Sequence, residues 1–194
     1  MRWIAVALIA FGAWQWSGDR AIAHPPGPIV LEAPLQRELA GTPPTFHKNG
    51  YTIKGLARFA LTARVLGVER YRFDRGADLV PVDLALGWGP MSDSGVLAKL
   101  EITQGGRFYY WRTADFPVPR RDIETNSANM HLIAADADVE RQLKRARVGS
   151  VVELSGYLVE ASAPDGWRWS SSMTRDDTGA GACELVWVER ITLR

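Results

Sequence analysis

Cysteine is nearly absent from this 194-residue chain: Cys183 stands alone, so no internal disulfide can staple the fold. Histidine is scarce too, with three in all. There is no Cys-x-x-Cys, no His-x-x-x-His, and no dense carboxylate cluster beyond Asp176-Asp177. That leaves no metal site to expect. Walker loops, dinucleotide fingerprints and Gly-x-Ser-x-Gly are missing as well, and Gly87-Trp88-Gly89 lacks the spacing of a cofactor loop. No cofactor is expected. An excess of one charge is also lacking, with 23 Lys+Arg against 22 Asp+Glu. Removing residues 1–23 takes away Arg2, Arg20 and Asp19 and leaves 21 against 21. A neutral domain has no overall electrostatic reason to bind nucleic acid.

No apolar run reaches the 18 residues of an ordinary membrane span. The longest is Trp3 to Trp16, broken by Gln15 and preceded by Arg2. As a helix these residues would cover about 21 Å, short of a bilayer core of about 30 Å. The length suits a signal-peptide core, and Ala21-Ile22-Ala23 supplies a small-residue cleavage site. Trp14 and Trp16 suit an interfacial belt, and the polar gap Ser17 to Arg20 is long and charged for a cleaved signal. The segment is read as a signal anchor in preference to a cleaved signal. The remainder is then expected outside the cytoplasm, in the cell envelope.

Six of the eleven prolines fall between His24 and Thr45, so residues 24–46 read as a semi-rigid spacer. Within it Ile29 to Leu31 suggest a short edge strand and Leu35 to Leu39 a short helix. Residues 47–194 form a single domain, long enough to bury a core without staples. Ala57 to Val65 alternates cleanly between apolar and polar, the mark of a half-buried antiparallel strand. Pro81 and two glycines argue against a central strand over Asp78 to Gly89, which reads as a loop with a helical turn. Ser92 or Asp93 caps a short helix reaching Lys99. Gln104-Gly105-Gly106 marks a hairpin between Leu100–Thr103 and Arg107–Arg112. Phe116 to Arg121 reads as a surface loop, and Met130 to Ala134 as a short strand.

Asp136 to Arg147 is the best helix, with Val139 and Leu143 on one face, basic residues at its carboxyl end and Gly149 as its stop. Strands follow over Val148–Val159, Gly166–Ser172 and Ala182–Glu189, with Trp167, Trp169 and Met173 sharing a face. The chain therefore reads as β-rich α+β: a curled antiparallel sheet, barrel-like or sandwich-like, with two short helices. Small five-stranded barrels, the OB-fold among them, read this way.

Three groups are candidates for chemistry. Arg175 beside Asp176 and Asp177 can offer a guanidinium fork to a carboxylate or phosphate, or merely close a hairpin loop. Ser127 and Asn129, just before the Met130–Ala134 strand, and His131 within it form a polar stretch. His131 with Cys183 makes a formal pair for acyl transfer, although the residues around Cys183 lack the His…Ser-x-Gly-Cys pattern of exported transpeptidases. Trp88, flanked by glycines, suits a contact loop, whereas Tyr109, Tyr110, Trp111, Trp167 and Trp169 suit a core.

Asp83-Leu-Ala-Leu-Gly-Trp-Gly89, Ser127-Ala-Asn-Met-His-Leu-Ile133, Gly166-Trp-Arg-Trp-Ser-Ser-Ser172 and Ala182-Cys-Glu-Leu-Val186 resemble the motifs of a bacterial family. Its members carry one N-terminal hydrophobic segment and a Pro/Gly-rich linker. The resemblance runs over most of the chain; it implies an envelope address and no assigned activity. The expectation is an envelope-tethered, non-enzymatic domain that binds an envelope protein or a small ligand through Trp88, Ser127, Asn129, His131 and Arg175–Asp177. A Cys183–His131 hydrolase or transpeptidase-like enzyme, and an OB-like oligonucleotide or glycan binder, are the alternatives.

Overall fold

The computed structural model describes residues 20–174 and 183–194. The molecule is built on one very long strand. Residues Tyr51–Arg70 (β3) alternate between buried and exposed side chains through most of their length, the signature of a strand with one face on a core. Five strands close around that core: β3, Val82–Gly87 (β4), Ser127–Ala134 (β7), Glu184–Leu193 (β10) and Val151–Ser162 (β8). Their order is β3-β4-β7-β10-β8, and β8 pairs back onto β3. Closure is possible because β3 serves two partners. Its residues Thr52 to Arg64 pair with β8, and Arg64 to Arg70 pair with β4. Register shifts between Gly55 and Ala57 and between Val65 and Gly67 bend it, as bulges do.

The strands form a partial ring within a large sheet, and the fold is β-rich, as the pattern of strands and turns suggested. The sheet is mixed, because β10 runs parallel to β7. Parallel neighbours need a crossover, and this one contains Ala137–Leu143 (α3) and β8. Asp136 caps α3 as expected, accepting from the backbone N–H of Asp138 and Val139. Two more short helices, Ser94–Leu97 (α1) and Arg120–Thr125 (α2), bring the described total to three α-helices rather than two, with a 3-10 turn at Gly89–Ser92. α2 takes in the last two residues of the expected surface loop, Arg120 and Arg121, and buries only Ile123 of its six. Among the described residues no helix is long and apolar enough to cross a membrane.

The clearest departure from the sequence reading is β4. All six of its residues are buried, making it a central strand. Pro81 falls just before the strand and so removes no ladder hydrogen bond, and Gly87 ends it. Trp88 is likewise no surface contact. Only 2 % exposed, it belongs to the inner core with Leu84, Leu86, Met130, Leu132 and Val186. The glycines beside it let the chain turn sharply around a buried indole.

The proline-rich segment lies along the barrel. Ile29 and Val30 form no strand; both backbone N–H groups donate to Ser92 Oγ, and Val30 is buried in the inner core. Leu35–Arg37 (β1) is a strand on β3, not a helix, and Thr45–Lys48 (β2) pairs with β3 as well. Here an available sheet edge outweighs local helix preference.

Between β4 and β7 the chain makes a separate two-stranded ribbon, Glu101–Gly105 (β5) and Phe108–Arg112 (β6). Its two-residue turn is Gly106-Arg107, both with positive φ (60° and 72°), the twist that suits a tight hairpin. Arg168–Ser170 (β9) is a three-residue strand on β8. Trp167 and Trp169 are half-buried and meet edge to face at 6.0 Å, while Met173 is exposed rather than sharing their face.

Candidate functional site

On β4 and β7 the residues facing outward are Asp83 and Ala85, and Ser127, Asn129, His131 and Ile133. Asp83 and His131 stand opposite each other in the ladder. Both are buried, Asp83 completely and His131 to 2 % exposure. What covers them is the tip of the β5–β6 hairpin, and one residue does most of the covering.

Arg107 occupies the left-handed region, which a non-glycine residue holds only when its surroundings compensate. The compensation is visible at both ends of its backbone. Its N–H donates to Tyr71 Oη at 2.9 Å, and its carbonyl accepts from Asn129 Nδ2 at 3.0 Å. Its guanidinium Nη1 donates to Val80 O (2.9 Å) and to Asp83 Oδ1 (3.0 Å). Nε and Nη2 form a fork on the Asp74 carboxylate at 3.1 and 2.7 Å. The plane lies 3.6 Å from the Tyr71 ring centroid, a cation–π contact. One arginine thus ties the hairpin to the β3–β4 loop and to the strand floor.

The floor completes the arrangement. His131 Nδ1 lies 2.9 Å from Asp83 Oδ2. The two atoms are not aligned for a hydrogen bond, and among the described residues neither has another hydrogen-bond partner. Trp169 closes over the imidazole, with ring centroids 4.5 Å apart. Gln104 donates to Asn129 Oδ1 at 2.8 Å. Cys183 is half-buried, with its sulfur 3.9 Å from the Arg107 carbonyl. Further along β7, Ser127 Oγ donates to Ile123 O, so the Tyr109 hydroxyl, 2.7 Å away, donates to Ser127. Burial pushes the Tyr109 phenol up to about 12, against the opposing pull of that hydrogen bond. Tyr71 is pushed up to about 12 as well, again chiefly by burial, while the Arg107 N–H opposes the shift.

Ser127, Asn129 and His131 therefore come together on one strand face, and Cys183 joins them through Arg107. Trp88 lies on the opposite, inner side of the sheet. Arg175, Asp176 and Asp177 lie outside the described residues. The residues that organise the site, Arg107, Asp83, Asp74 and Tyr71, escape a sequence reading. Asp83 carries a signal nonetheless: it is the sole charge in Val82-Asp83-Leu84-Ala85-Leu86, and a carboxylate in an apolar run needs a partner.

The outward side of the hairpin is different in kind. Phe108 and Tyr110, 37 % and 56 % exposed, sit 6.4 Å apart as tilted rings. Arg112 and Glu101 form a two-bond pair beside them at 2.7 and 2.8 Å, which holds the Glu101 carboxyl below its usual range. Next to the ribbon's base lies an open depression of about 490 Å³, lined by Lys99, Leu100, Glu101, Arg112 and Thr113 among others. No metal-holding group of three His, Cys, Asp or Glu side chains occurs among the described residues. Compared with protein-family models, with curated proteins and with solved structures, the chain gives no match.

Proposed function

We propose that this protein is a non-enzymatic binding domain, held at the cell envelope by its N-terminal apolar run, that recognises a protein partner through the outward face of the β5–β6 hairpin. The observation that carries this reading is the hairpin's two-sidedness. Its inner side and tip are fixed to the barrel by Arg107, Gln104 and Tyr109, while Phe108 and Tyr110 face solvent. Rigid aromatic side chains with a polar rim are what protein interfaces use as anchors, because little conformational entropy is lost when they are covered.

The hub argues against the thiol enzyme. A general base must reach the proton it takes, yet His131 is packed beneath Trp169 and against Asp83. It argues equally against the usual OB mode, in which the second and third strands and the adjoining loops take the ligand. Here the hairpin tip occupies that face. One observation favours a second reading: Phe73, 97 % exposed in the β3–β4 loop, offers a ring on which a sugar or base can stack.

The test is site-specific photo-crosslinking of the full chain in cells, with a photoreactive phenylalanine at Tyr110 or at Phe73. The proposal expects one discrete adduct from position 110, lost on Phe108→Ser, and none from 73. An adduct from 73 alone transfers the reading to the β3–β4 loop. Absence of any adduct at 110 sinks the hairpin interface.

A further inference from the structure

The described chain begins at one pole of the barrel, and it is fixed there. Ile22 N–H donates to Val148 O at 2.8 Å, and His24 Nε2 lies 2.7 Å from Gly149 O. Gly149 is shaped to this contact. Its φ is +88°, and a Cβ on it would stand 2.0 Å from Ile22 O; any side chain would displace the incoming chain.

The same pole is basic. Lys144 and Arg145 are exposed at the carboxyl end of α3, Arg147 follows half-buried, and Arg20 is exposed at the start of the described chain. Arg70 reaches across to the carbonyls of Lys144 and Ala146 at 3.1 and 3.2 Å. Arg194 joins through paired backbone bonds with Val151. Glu140 pairs with Lys144 and Glu153 with Arg194. Val148 stands exposed among them.

We infer that this pole docks on an anionic phospholipid surface. The inference rests on the reading of Trp3–Trp16 as a membrane anchor. Only five residues lie between Trp16 and Ile22, six steps that reach at most about 20 Å at about 3.5 Å per residue. An anchor at that distance holds the basic pole close to the headgroups and makes docking effectively intramolecular. Cations beside an anionic leaflet each favour the bound state by about fivefold, within a Debye length of about 8 Å at physiological salt. Exposed Val148 gives the pole an apolar contact at its centre. The opposite end of β8 lies up to about 40 Å away along the strand, at about 3.3 Å per residue.

The experiment uses the full chain with Cys183→Ser and a polarity-sensitive dye on Val148→Cys, or on Pro164→Cys at the far end of β8. It is reconstituted with vesicles of phosphatidylcholine alone or with about a third phosphatidylglycerol. The expected result is a blue shift at 148 only with phosphatidylglycerol, none at 164, and reversal in 1 M salt, where screening shortens to about 3 Å. Lys144→Gln with Arg145→Gln lowers the docked-to-undocked ratio about 25-fold, at about fivefold per charge. An equal signal at 148 in both vesicle types overturns the docking. Flotation with pure phosphatidylcholine at high salt reads the anchor by itself. Failure to float overturns the anchor and the tethered docking with it, whereas flotation with an unresponsive dye overturns docking and spares the anchor.

Discussion

The two faces of β4 and β7 carry alternate residues of the same strands and hold together by different physics. The inward residues, Leu84, Leu86, Met130 and Leu132, meet other apolar side chains and nothing else of consequence. The outward residues, Asp83, Ser127, Asn129 and His131, are just as buried but meet polar groups brought from the hairpin and the β3–β4 loop. Burial of apolar area is non-directional and tolerates repacking. A buried polar network is satisfied in one arrangement only, and it is costly when half-made. The inner face supplies cohesion; the outer face decides where the hairpin lies.

That contrast can be broken most strongly at Asp83. Removing its carboxylate leaves the Arg107 guanidinium and His131 without it inside the hub, and Asp83→Ala is expected to cost about 3–5 kcal/mol, read by chemical denaturation. If the network serves specificity more than cohesion, replacing Asp83, Arg107 and His131 together by leucine recovers most of that loss. The hairpin then becomes more mobile by hydrogen exchange at β5 and β6. A triple variant as unstable as Asp83→Ala would show that the network is itself a source of cohesion.

On the inner face, Leu132→Ala is expected to cost about 2–5 kcal/mol by loss of burial and creation of a cavity. Pairing it with Asp83→Ala sharpens the comparison: the first should lower stability without loosening the hairpin selectively, the second should do both.

Alkaline pH addresses the outer face through Tyr109. The Tyr109 phenol titrates near 12 in the fold and near 10 when unfolded. Between those values the native state keeps a proton that the unfolded state has lost, so stability falls as pH rises from about 10 to about 12. At 1.36 kcal/mol per pH unit the effect reaches about 2–3 kcal/mol. Thermal melts should show a shallower alkaline fall for Tyr109→Phe; an unchanged slope would remove Tyr109 as its source. Tyr71 contributes in the same direction and remains in the variant.

The smallest effect is expected at the exposed rim. Arg112 and Glu101 are both open to solvent, so Arg112→Ala should leave the denaturation midpoint essentially unchanged. A larger change would mean that the hairpin's outward face is structural rather than free to bind.

Ala57 to Val65 displayed its strand because alternation is a local property of one face on a core. Asp136 displayed its cap for the same reason: the groups it satisfies are two and three residues away. β4 was hidden because a strand buried on both faces shows no alternation, and Pro81 looked like an interruption when it was a boundary. Ser127, Asn129 and His131 were visible as a polar stretch leading into a short strand, but neither the strand's start at Ser127 nor their partners were. Asn129 is held by Gln104 and Arg107, more than twenty residues away.

The sequence by itself determined that the chain is β-rich, nearly neutral, without disulfides and led by a short apolar run, because composition and short-range periodicity fix those properties before folding. Only the tertiary structure decided that the strands close into a ring, that Trp88 lies inside it, and that Arg107 joins Asp83, Asp74 and Tyr71. Those outcomes depend on which distant groups come to share a desolvated space, and a buried charge takes its partner from wherever the fold brings one.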